Sequence, residues 1–153
     1  MIIDSHAHIY PDKLARKAAR SIGNFYDIDM SLDGTVDMLL KVGDEAGVDK
    51  FLVHSVATTP HQVRSINSFI AKSVSEHPDR FIGFATLHPG CGDEIPEIVD
   101  EAIELGLSGI KLHPDFQEFD IDAPEAMRMY EVLEGRPVSY THLRAHETRG
   151  NLV

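Results

Sequence analysis

Four short apolar runs, each followed by a stretch with helical spacing, limit what this chain can fold into. The runs are "MIIDSHAHI", "KFLVHSVA", "RFIGFATLHP" and "SGIKLHP". Their near-continuous apolar, partly β-branched composition is that of strands covered on both faces. Between the first two, residues 12–21 read as a short helix carrying Lys13, Arg16, Lys17 and Arg20, and "SIGNFYDIDM" reads as an irregular loop. "TVDMLLKVGDEAGV" spaces Val36, Leu39 and Leu40 helically, with Gly47 placed to stop it. Thr59-Pro60 opens the next helix, a capping hydroxyl before a first-turn proline, and Val63, Ile66, Ile70 and Val74 form its apolar stripe up to Pro78. "DEIPEIVDEAIELG" turns Ile95, Ile98, Val99, Ala102 and Ile103 inward and closes at Gly106. Asp122, Ala123 and Pro124 open a last helix with Met127, Tyr130 and Leu133 inward.

Strand–helix alternation demands crossover connections and parallel strands. Two α/β architectures meet that demand, a doubly wound open sheet and a (β/α)8 barrel, and periodicity does not choose between them. The first strand is not followed by a glycine-rich phosphate loop, which counts against a nucleotide-binding sheet.

Polar residues gather at one end of every run. Asp4, His6 and His8 end the first, His54 and Ser55 the second, Thr86 and His88 the third, and Lys111 and His113 the fourth. In parallel α/β proteins the C-terminal strand ends form one rim, where sites sit. His6 and His8, two apart on a strand, share a face and make half of a metal site. Asp4 suits a supporting role that orients a ligand histidine. The others carry structural alternatives. His88 and His113 precede proline and can shape a strand exit through backbone hydrogen bonds. His54 on an apolar strand also reads as a satisfied core histidine, and Lys111 as a snorkelling cation. His61 and His77 read as solvated.

The 153 residues form one domain by length, with a net charge of -11 and no basic cluster, which argues against nucleic-acid and anionic-membrane partners. Cys91, the single cysteine, excludes a disulfide framework. No apolar run is long enough to span a bilayer, and no signal peptide is evident at the N-terminus, so the expected location is cytoplasmic.

"IIDSHAHIYPDKLA", "TLHPG" and "GIKLHPDFQEFDIDAPEAMRMYEVLE" resemble the amidohydrolase-related family of metal-dependent hydrolases, in the branch that contains aminocarboxymuconate-semialdehyde-decarboxylase-like enzymes. The resemblance implies an α/β fold, the N-terminal half of a (β/α)8 TIM barrel with about four βα units. It implies a divalent metal, usually zinc, with His6 and His8 as ligands and Asp4 behind them. It places Lys111 and His113 near a small-molecule substrate; His54 and His88, whose strand ends share that rim, are candidate substrate-binding residues beside them, and Lys111 or an arginine can pair a substrate carboxylate. The implied reaction uses metal-activated water for hydrolysis or non-oxidative decarboxylation. TatD-like nucleases and PHP-type phosphoesterases also open on His-x-His, but "TLHP" and "GIKLHP" suit them less well. Self-association stays open.

The pattern breaks after Pro137. The family expects a fifth strand there; instead "VSYTHLRAHET" resembles, residue for residue, a translated frame of the transposon-end adapter used in short-read sequencing libraries. The expected division is therefore 1–137, a partial barrel domain, and 138–153, a non-native read-through tail. On that basis His142 is not assigned as a ligand. A full barrel needs about 250 residues, and the family's remaining ligands and its general-base aspartate fall beyond this chain. Two histidines are too few for a catalytic zinc site, which takes three protein ligands. The expectation is an active full-length parent and an inactive fragment.

Overall fold

A computed structural model describes residues 1–142. Its five strands are all parallel and lie side by side in chain order: β1 (Ile3–His8), β2 (Lys50–His54), β3 (Phe81–Thr86), β4 (Gly109–Leu112) and β5 (Ser139–His142). A doubly wound sheet reverses its strand order at a switch point. This sheet never reverses, so it is half of a (β/α)8 barrel. The helices are α1 (Asp12–Tyr26), α2 (Val36–Ala46), α3 (Val63–Glu76), α4 (Ile95–Glu104), the single turn α5 (Pro114–Gln117) and α6 (Pro124–Leu133). Among the described residues, no helix is long and apolar enough to cross a membrane.

Register separates the two faces of the sheet. Phe51, Val53, Phe81, Ala85, Ile110 and Leu112 are buried, on the face that the helices cover. Gly43 of α2 lies against the Phe51 ring, and Gly83 of β3 lies against Ile70 and Val74 of α3. The barrel-side face carries His54, Phe84 and Lys111, with Thr86 registered opposite Lys111 and Phe84 opposite Gly109. A Cβ at Gly109 would fall 2.5 Å from the Phe84 ring, so glycine is what lets that aromatic lie across β4.

The local signals mostly act as the sequence suggests. Thr35 Oγ1 accepts from the Met38 amide at 3.3 Å to start α2, and Gly47 ends it at φ 70°. Three expectations are corrected. α1 continues through the segment read as a loop to Tyr26, because Ala15, Ala19 and Gly23 extend one small, buried stripe. Gly23 seats the return of the chain: a Cβ there would lie 2.7 Å from the Ile28 carbonyl oxygen. Thr59 caps nothing; Pro60–Gln62 form a 3-10 turn and α3 begins at Val63. In α6 the buried phase is Ala126, Met129 and Leu133, leaving Met127 exposed.

Two buried amides tie the strand ends together. Asn67 donates to the Thr86 carbonyl at 3.1 Å and accepts from the Thr86 amide at 2.8 Å. Gln117 accepts from the His113 amide at 2.8 Å and donates to the carbonyls of Ala57 and Leu87 at 3.0 and 2.6 Å. The exits of β2, β3 and β4 are thereby fixed to one another.

β5 occupies the free edge of β4, with Thr141 level with Lys111 and His142 level with Leu112. Pairing of this kind is expected wherever an open edge meets an extended segment. Most of the expected read-through tail, residues 143–153, lies outside the described residues.

Gly109→Ala is expected to destabilise the fold by about 1–3 kcal/mol through overpacking against Phe84. Adding Phe84→Leu should recover part of the loss. Chemical denaturation of the single and double variants checks this, and a Gly109→Ala protein as stable as the original would contradict the packing.

Candidate metal centre

β1 and β2 bring three histidines together. His8 is registered opposite His54, so both rings leave the sheet on the same side. A bulge sets Asp4 against Phe51 but Ala7 against Val53, placing an extra residue in β1 and re-aiming the strand just where His6 lies. His6 Nε2 and His8 Nε2 are 3.2 Å apart. The His54 ring meets those of His8 and His6 edge-on, with centroids 4.5 and 4.6 Å away. One ring nitrogen from each of the three lies within 4.8 Å of the other two. His54 is 1% exposed, and its buried Nδ1 has no hydrogen-bond partner.

The electrostatics keep these rings neutral. Burial, then the neighbouring His6, then Lys111 and His113, push His8 down to about 3. Burial, then His8, His6 and Lys111, push His54 down to about 2. His6 is lowered by burial and by Lys111, with Asp4 opposing. Neutral imidazoles offer lone pairs to a cation. Lys111 is itself 1% exposed, and burial lowers it from 10.5 to about 8.

Supporting groups surround the cluster. Asp4 accepts from the backbone amide of His6 at 2.9 Å, so it fixes the main chain rather than the ring. Tyr10 Oη lies 3.4 Å from His8 Nδ1. Its phenol contacts Ser55 and, through burial, is pushed up to about 12, while Ser55 Oγ donates to the Ile9 carbonyl at 2.7 Å. If His8 presents Nε2 to a ligand, its Nδ1–H donates to Tyr10, and the series ends on the backbone. Motif matching does not single out Tyr10, though its period-2 spacing from His8 places it on the same strand side. A groove of about 510 Å³ opens beside His8 and Tyr10, walled by Leu14, Ile22, Phe69 and Phe116.

The other candidates separate. His113 Nδ1 accepts from the Phe116 amide at 3.3 Å, and its Nε2 meets Tyr26 Oη at 2.9 Å. It is close enough to the cluster for its charge to lower His8. Tyr26 escapes a sequence reading because the end of α1 looks like a loop. His88 stands outside the three-histidine group, and its Nδ1 accepts from the Gly90 amide at 3.0 Å to cap a 3-10 turn. His61 is exposed and His77 is half-buried against Phe81.

The amidohydrolase family profile matches residues 3–146, past Pro137. The chain belongs to the amidohydrolase family. It is 36% identical over 70 residues to 2-amino-3-carboxymuconate-6-semialdehyde decarboxylase of Dictyostelium discoideum, a match covering 45% of this chain and 20% of that protein. Among solved structures, 5-carboxyvanillate decarboxylase from Sphingomonas paucimobilis superposes with a TM-score of 0.68 at 18% identity, over 91% of this chain and 50% of that one. A dihydroxybenzoic acid decarboxylase from Polaromonas sp. JS666, with bound manganese and the inhibitor 2-nitroresorcinol, gives 0.62 at 18% identity, over 91% of this chain and 48% of that one. The chain thus spans about half the length of these structures.

The residues fit a divalent ion. Two nitrogen ligands at about 2.0–2.1 Å from one metal stand about 3.3 Å apart, close to the 3.2 Å between the two Nε2 atoms. The set is all nitrogen, which suits zinc and other transition metals better than magnesium or calcium.

Lys111 is expected to be protonated below about pH 8 and neutral above it. Acetylation rates followed by mass spectrometry across pH 6–11 should show its half-maximal reactivity near about 8. A half-point near about 10.4, ordinary for lysine, would contradict the burial of its amine.

Proposed function

We propose that this chain is the front half of a metal-dependent enzyme whose complete barrel acts on a small carboxylated substrate, by hydrolysis or non-oxidative decarboxylation. The observation that carries the reading is the convergence of His6 Nε2 and His8 Nε2 at 3.2 Å beside the buried Lys111 amine. His6 and His8 hold the ion, taken to be zinc, with further ligands supplied by strands beyond this chain. When bound, a divalent ion there supplies Lewis acidity and lowers the pKa of a coordinated water.

The chain's own residues then do the following. Tyr10, held by Ser55, accepts from His8 Nδ1 and keeps Nε2 free as a donor. Asp4 fixes the backbone at His6. The buried Lys111 ammonium pairs a substrate carboxylate more strongly than an exposed lysine would. The decarboxylases to which the chain is similar act on carboxylated compounds by their names, which supports that substrate class. The general base belongs to the absent half, so residues 1–153 have no turnover of their own. Residues 138–153 are read as non-native, on the resemblance of "VSYTHLRAHET" to a translated adapter.

Sequencing the source locus across codon 137 tests the division and supplies the complete gene. In that enzyme, His6→Ala or His8→Ala should remove tightly bound metal, read by elemental analysis; full occupancy in either variant would sink the assignment. Lys111→Met should raise KM for a carboxylated aromatic by roughly 10–100-fold, the worth of a hydrogen bond to a charged group. Activity on phosphodiesters in place of carboxylated substrates contradicts the substrate class, and an in-frame genomic tail contradicts the division at Pro137.

A further inference from the structure

The family pattern assigns the metal to His6 and His8 and draws the remaining ligands from later strands. His54, a rim residue in that pattern, is not among its ligands, yet it is the most enclosed member of the cluster. A histidine kept only for packing pairs its ring nitrogens with neighbours, because a buried unpaired polar atom costs about 1–3 kcal/mol. The His54 Nδ1 is buried and unpaired. The ring nevertheless stands edge-on to both proposed ligands, at 4.5 and 4.6 Å between centroids. Its strand position is fixed by direct register with His8.

We propose that His54 is a third ligand, so that His6, His8 and His54 form a three-histidine divalent-metal site contained entirely in β1 and β2. This rests on the reading of His6 and His8 as the metal pair. A ring nitrogen from each lies within 4.8 Å of the others, against the about 3.3 Å that ligands of one zinc keep, so binding draws the three rings inward. All three nitrogens sit on two hydrogen-bonded neighbouring strands, so the site needs nothing from the absent half of the barrel. Three neutral nitrogen donors are the protein share of an open zinc site. The chain therefore binds one zinc-class ion by itself. The two-histidine limit expected from sequence falls short by one ligand.

X-ray absorption on the 153-residue chain loaded with one equivalent of zinc counts imidazoles directly, whether the protein is monomeric or associated. The expected count is three. His54→Gln and His54→Leu should each lower it to two and weaken zinc binding by more than about tenfold, at least what loss of a supporting group costs. Circular dichroism of the metal-free variants reports whether they fold. A count of two in the unaltered chain overturns the proposal. So does a count of three that survives both His54 substitutions, since the third imidazole then comes from elsewhere. If His6→Ala and His8→Ala abolish binding while the His54 variants bind as before, only the third ligand fails. If His6→Ala and His8→Ala also leave binding intact, the underlying metal pair fails with it.

Discussion

The pairing of β1 on β2 is the constraint on which the site depends. His8 is level with His54 because the two strands are parallel and in register there, and a bulge one turn of the pleat earlier absorbs an extra residue. A slip by one residue would send one of those rings to the helix-covered face, among Phe51 and Val53. The same register sends Ala7 and Val53 outward, where burial holds them. Hydrophobic packing under the helices thus fixes which side of the sheet the histidines occupy.

Polar groups on the barrel side carry a desolvation cost that the scaffold must withstand. Lys111, His54 and His113 are each almost fully buried, and burial first, then the neighbouring Lys111 charge and the other histidines of the cluster, drives His54 and His113 towards neutrality. What keeps the rim in place is a set of amide contacts. Gln117 binds the exits of β2, β3 and β4, and Asn67 clamps Thr86. These hydrogen bonds are satisfied and buried, so they rigidify where an unsatisfied polar rim would weaken. Rigid support around a buried, poorly solvated set of donors is how binding sites are preorganised for a ligand.

Much of this was legible from residues alone. The β-branched runs and the glycine and proline stops mark the strands and most helix ends, since those signals are local. The gathering of histidines on one rim follows from parallel strands, which is a consequence of alternation. The choice of barrel over open sheet was legible only through the family resemblance, because strand order is a tertiary property that periodicity does not encode. Residues 21–26 read as a loop because the helix there is held by small side chains, Ala19 and Gly23, rather than by an apolar stripe. Tyr10, Gln117 and Asn67 carry no motif; their importance lies in which carbonyl or ring they meet across the fold. His54 reads as core or site from sequence, and the proposal of a ligand role rests on its unpaired Nδ1 and its place beside His6 and His8.

Anomalous diffraction at the zinc edge, from crystals of the complete protein, addresses the metal centre most directly. A peak is expected within about 2.0–2.3 Å of both His6 Nε2 and His8 Nε2, on the barrel side of β1 and beside Lys111. An occupied metal peak elsewhere in the barrel, with those two nitrogens hydrogen-bonded only to each other, would contradict it.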